Sequence, residues 1–232
     1  MTMIDPHTSL AALVLDEPRR AELFEKLGFD YCCGGESSLA AASAQHDLDV
    51  DTVVRMLEAW TPTQTSAPEH DYDCRSASTA DLCDHIVGAH HEWLRRELPR
   101  LAETLATVVR VHGAGDPQLR RLERVFDGLS RELLDHLERE EQVLFPACRA
   151  LDADEGFDRQ GLLEELAHDH ADVGATLPLL RELAGGYEPA AARCSTHRTL
   201  LDGLQALERD LHQHIHEENN VLFPRVRGRL AA

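Results

Sequence analysis

The sequence predicts an all-α protein in which a small N-terminal helical unit is joined by a linker to an up-down four-helix bundle. Three observations carry that prediction. Leu, Ala, Glu and Arg dominate while aromatic residues make up only 5%, a composition that favours helices over strands. Four long stretches keep apolar residues at helical spacing, and the breaks between them are short, as in antiparallel helix packing. Finally, His136 to Pro146, HLEREEQVLFP, recurs from His214 to Pro224 as HIHEENNVLFP, so the bundle reads as one hairpin used twice.

Bulk properties exclude several classes. With 43% hydrophobic residues in 232, the chain has enough apolar mass for a packed core. Lys plus Arg total 23 against 42 for Asp plus Glu, a formal charge of -19, which repels phosphate backbones and anionic lipid. Neither nucleic acid nor a membrane is an expected partner. The segment MTMIDPHTSL lacks a basic region followed by an apolar run, and no stretch approaches the roughly 18 apolar residues of a spanning helix; a cytoplasmic protein is expected. Six scattered cysteines, only Cys32 and Cys33 being close together, are not a secreted disulfide framework.

Taken in order, residues 1–60 form the small unit. It has an apolar helix near Leu10 to Leu15, a second from Arg19 to Leu27 stopped by Gly28, then FDYCCGGESS and a further helix or two ending near Trp60. Residues 61–77, TPTQTSAPEHDYDCRSA, lack periodicity and are rich in Pro, Ser and Thr, so they read as a linker. The bundle occupies 78–232. Its first stretch runs from about Ser78 to His112 and ends in GAGDP; the second, from Pro117 to Ala150, ends in DADEGFD. A third covers about Arg159 to Ala184, followed by GGYEPAAAR, and a fourth runs from Ser195 to Gly228.

Histidines then select themselves by face. Of fourteen, nine fall in four clusters, and histidine is the commonest metal ligand. In both copies of the motif His-x-x-x-Glu puts His136 with Glu140, and His214 with Glu218, on the apolar face of a helix, with Leu137, Val143 and Leu144 in the same arc in the first copy. His91 and His170 share a second pattern, each followed at +7 and +8 by Leu-Pro, and they precede His136 and His214 by 45 and 44 residues. His168 points away from the stripe, His90 lies at its edge, and His85, His212 and His216 fall off it. Those residues, with Glu138, Arg139, Glu141 and Glu217, read as a solvated charged face. Pro99 and Pro178 read as helix kinks.

An ionised carboxylate in an apolar stripe costs several kcal/mol unless a cation meets it. Four inward histidines and two inward glutamates form a pseudo-twofold set that suits two metals, the imidazoles as terminal ligands and the glutamates as bridges. Nitrogen and oxygen donors without cysteine disfavour structural zinc, and HExxH, the signature of a zinc protease, is absent. Iron is the metal expected. Six protein ligands leave positions for a bridging oxo or hydroxo group, or for a small molecule such as dioxygen or nitric oxide.

These residues carry a resemblance. The stretch 78–228 resembles a hemerythrin-like di-iron domain. The two LFP-ended motifs, with ENNVLFP, and the N-terminal FDYCCGG resemble the iron-sulfur cluster repair di-iron family, over nearly the whole chain. The resemblance implies two non-haem irons held by His91, His136, Glu140, His170, His214 and Glu218, and damaged iron-sulfur proteins as partners under oxidative or nitrosative stress. No ligand position departs from the pattern, although His90, His168, His212 and His216 leave alternative ligands open. Cys32 and Cys33 match the family's paired cysteines. On their own they read either as nucleophiles and soft ligands, for iron transfer or redox cycling beside a permissive Gly34-Gly35, or as small core residues. The leading expectation is cluster repair by iron donation. The competing ones are a dioxygen or nitric oxide carrier or sensor, and a nitric oxide reductase; a simple carrier has no need of the cysteine unit.

Overall fold

The computed structural model describes residues 4–60, 72–152 and 160–230. Residues 61–71 of the expected linker lie outside the described residues, as do 153–159 between the second and third bundle helices. Among the described residues the secondary structure is helical apart from a single bridge between Ser9 and Ser38. None of these helices is long and apolar enough to cross a membrane. By backbone contacts the chain forms two compact units, residues 1–77 with 215–221, and residues 78–214 with 222–232.

The first unit is built from α1 (Leu10–Asp16), α2 (Arg20–Leu27), α3 (Leu39–Gln45) and α4 (Val50–Ala59). Each boundary has a local cause. Ser9, Ser38 and Asp49 cap α1, α3 and α4 by accepting the backbone N–H three residues on, satisfying one otherwise orphaned donor each. Gly28 closes α2 with φ of 75°, a left-handed cap that costs a glycine little. The bridge, with Leu10 N–H donating to Ser37 and Leu39 N–H to Thr8, ties the starts of α1 and α3 together. Leu10, Leu13, Leu23, Phe24, Phe29, Tyr31 and Leu39 fill the core.

The second unit contains the four long helices, except for residues 215–221 of the fourth, which group with the first unit. The first comprises α5 (Thr79–Ile86), a π turn over Val87–His91, and α6 (Glu92–His112). The second comprises α7 (Pro117–Arg139), a π turn over Glu140–Leu144, and α8 (Phe145–Asp152). The third is α9 (Gln160–Leu183), and the fourth is α10 (Ser195–Glu217), a π turn over Glu218–Leu222, and α11 (Phe223–Leu230). Asp116 caps α7 and Pro117 takes its first position, where a missing N–H is harmless. α6 packs on α7, and α7 on α9. Pro99 and Pro178 sit inside helices that continue through them.

The π turns are the departure from regular periodicity. In the first two, the N–H of Glu92 donates to Val87 and that of Phe145 to Glu140, five residues back. Each such turn holds one residue more than an α turn, so the face reading slips beyond it. Val143, expected inward, is only half-buried, while the consecutive Leu144 and Phe145 are both fully buried.

Candidate metal centre

Each π turn carries one of the expected residues: His91 ends the first, Glu140 starts the second and Glu218 starts the third. A widened turn of this kind is a common device at functional sites, because it aims a side chain that a regular helix would rotate past. His136 and His214 sit one α turn earlier on the same helices, and His170 comes from the middle of α9.

The structure brings all six together as two buried clusters consistent with a di-metal site. One is His91, His214, Glu140 and Glu218; the other is His136, His170, Glu140 and Glu218; in each, ligand atoms lie within 4.8 Å of one another. Both glutamates belong to both clusters, and both are completely buried. The pseudo-twofold symmetry survives in the ring geometry. His91 and His214 have centroids 4.9 Å apart at 63°, and His136 and His170 are 4.8 Å apart, also at 63°. Their Nε2 atoms approach to 3.1 Å in the first pair and 3.0 Å in the second. The phenylalanines of the LFP motifs complete the pattern, Phe145 stacking on His91 and Phe223 on His170, each at 5.5 Å.

An outer layer sets which ring nitrogen faces inward. His91 Nδ1 lies 2.8 Å from the Glu141 carboxylate, which also accepts from Arg95 at 2.7 Å. His136 Nδ1 lies 3.2 Å from Asp169, which in turn pairs with Arg139. A carboxylate on Nδ1 fixes the proton there, so Nε2 presents its lone pair to the cluster, as metal ligation requires. Partial burial works against ionising Glu141, but hydrogen bonds from Arg95 and His91 outweigh it and hold its carboxyl below the usual range. Asp169 behaves alike: desolvation is overcome by His136 and Arg139. The chemistry of this donor set fits cations. Two buried carboxylates among closely opposed imidazoles are stable only if positive charge sits between them, and four imidazole nitrogens with carboxylate oxygens suit first-row transition ions.

Several outer residues depart from the solvated face expected of them. His90 is buried, its Nδ1 2.9 Å from Asp210 and its ring stacked on His214 at 5.2 Å. His216 and Glu217 are buried too, in the segment 215–221 that belongs to the first unit. Periodicity assigns one face of a helix to the interior, and it is blind to burial on the opposite face. Glu141 and Arg139 are only partly exposed and support histidines rather than solvating a surface. His168 is exposed as expected and sits 3.8 Å from Asp172. Sequence reasoning missed Asp169 altogether; a carboxylate next to an inward histidine was the available signal. None of His90, His168, His212 or His216 joins the two clusters.

Within the first unit, FDYCCGG forms a tight loop held from below by the 215–221 segment. His216 Nδ1 is 3.2 Å from the Tyr31 carbonyl, and Asn220 Nδ2 donates to the Cys32 carbonyl at 3.0 Å. Gly35 is obligatory there: a Cβ would stand 2.6 Å from the Tyr31 carbonyl oxygen and 2.7 Å from Asn220. Cys32 is buried and Cys33 exposed, with sulfurs 3.8 Å apart.

Two family models match the chain. Residues 82–226 match the hemerythrin HHE cation binding domain, and residues 6–61 match a domain of unknown function, DUF542. Full-length relatives match as well. Proteins called iron-sulfur cluster repair protein YtfE from Salmonella paratyphi B (strain ATCC BAA-1250 / SPB7), Salmonella newport (strain SL254) and Salmonella heidelberg (strain SL476) are each 34% identical over 219 residues. Those alignments cover 94% of this chain and 95% of each relative.

Proposed function

The chain belongs to the family of the iron-sulfur cluster repair protein YtfE, with a hemerythrin HHE cation binding domain, and on that premise we propose that it repairs damaged iron-sulfur clusters by supplying iron from a di-iron centre. The observation that carries the reading is the pair of buried His/Glu clusters sharing both glutamates. His91 and His214 would hold one iron, His136 and His170 the other, and Glu140 and Glu218 would bridge them. Iron held by these residues would supply the metal that a depleted cluster lacks. The protein contributes tautomer control through Glu141 and Asp169, stacking by Phe145 and Phe223 that keeps the rings in place, and exclusion of water by the surrounding leucines.

We assign residues 1–60 to a cysteine-bearing domain, 61–77 to a linker and 78–232 to the bundle, with damaged iron-sulfur proteins as clients and nitric oxide or dioxygen as the small molecules met. Cys32 and Cys33 act in transfer of iron or in redox turnover, not as resting ligands of the bundle centre. Six cysteines scattered outside any disulfide framework suit a reducing compartment, which supports a cytoplasmic location. The deciding experiment loads the protein with iron and mixes it with a cluster enzyme inactivated by nitric oxide. Activity should return faster than with iron-free protein or with equimolar ferrous salt; equal recovery from the salt would remove the repair reading.

A further inference from the structure

Outside the His/Glu clusters, Asp30, Cys32 and Cys33 also bring their ligand atoms within 4.8 Å of one another. We propose that these three residues form a second metal site, taking one thiophilic divalent cation such as ferrous iron with two thiolate sulfurs and one carboxylate oxygen. Distances carry the argument. The two sulfurs are 3.8 Å apart, and two thiolates each about 2.3 Å from a tetrahedral metal stand about 3.8 Å apart. Cys32 Sγ lies 3.3 Å from Asp30 Oδ1, close to the roughly 3.5 Å expected when sulfur and a carboxylate oxygen share one such ion.

The donors are also fixed in advance. The Asp30 carboxylate accepts the backbone N–H of Cys32 at 3.1 Å and of Cys33 at 2.8 Å, which locks its rotamer over the thiols. Gly34 leaves room for it, since a Cβ would stand 3.2 Å from Oδ2. The loop is held on its other side by His216 and Asn220 through the Tyr31 and Cys32 carbonyls. Without a cation this arrangement works against thiolate formation. The neighbouring Cys33 first, then burial and the Asp30 charge, push the Cys32 thiol well above its ordinary value. A divalent ion reverses that repulsion: each thiol gives its proton to solvent, two protons leave per metal bound, and no electron moves.

Three protein donors leave a coordination position open, as a site needs when it must give its metal up. Use of the site as a way-station for iron rests on the repair reading above; the binding itself does not. The test titrates reduced, iron-loaded, full-length protein anaerobically with Co²⁺. One further equivalent should bind per chain, with intense sulfur-to-cobalt absorption in the near ultraviolet and two protons released. Cys33→Ser should lose roughly half of that absorption. Asp30→Asn retains the oxygen that accepts both N–H groups and removes only the charge, so it should keep the sulfur bands and bind roughly tenfold more weakly or worse. Bundle iron should be unchanged in both variants. Absence of the bands in the parent, or parental affinity in Asp30→Asn, overturns the proposal. Cobalt binding by a protein that repairs nothing would sink the repair reading alone, and repair by a protein with no cobalt site would sink only this one.

Discussion

The two copies of the repeated motif, HLEREEQVLFP and HIHEENNVLFP, share an inner face and differ on the outer one. Inward, both give a histidine, a π turn opening on a glutamate, and a phenylalanine stacked on the neighbouring helix's histidine. Outward, the first copy has Glu141, which holds His91, and Gln142, which donates to exposed Glu138. The second has Asn219 and Asn220 with His216, and these hold the Tyr31 and Cys32 carbonyls. One face of each motif answers to the shared centre and tolerates little change; the other has been free to take separate work.

The largest effects should fall on the shared inner face. Glu140→Ala and Glu218→Ala should each reduce bound iron from about two per chain to one or none by elemental analysis, because each glutamate serves both clusters. If only one of the pair mattered, the symmetry would be broken. Metal removal comes next. Apo protein leaves two carboxylates facing each other in the core, so a strong chelator should lower Tm by about 10 °C, corresponding to about 3 kcal/mol in a chain of this size. An unchanged melting curve would mean that the centre carries no metal in the parent.

Smaller effects belong to the outer faces. Glu141→Gln and Asp169→Asn should still bind two irons at saturation but with affinity lower by roughly 10- to 100-fold, read by chelator competition, since the histidines keep their places and lose basicity. An emptied site in either would make that residue a ligand. Asn220→Ala should leave iron content alone yet cost about 1 kcal/mol in the first unit and speed proteolysis near Tyr31. The matching change in the other copy, Gln142→Ala, should do neither, staying within about 0.5 kcal/mol. Equal behaviour of that pair would erase the distinction between the outer faces.

The sequence by itself determined the helical class and the six residues that the structure gathers into two clusters. An apolar stripe has a strong period, and two copies of His-x-x-x-Glu with two of His-x6-Leu-Pro cross-check each other. It also singled out the cysteine pair beside Gly34 and Gly35. Tertiary structure decided what periodicity has no means to encode. The π turns shift the register where the glutamates sit, so Val143 turns partly outward and Phe145 inward. Asp169 and Glu141 reach their histidines from a different helix in each case, a contact with no fixed sequence spacing. His216 and Glu217, off the stripe, are buried, and Asn220 half-buried, because 215–221 packs with residues 1–77. A helix read alone shows one buried face, and only the fold reveals where a second face is buried as well.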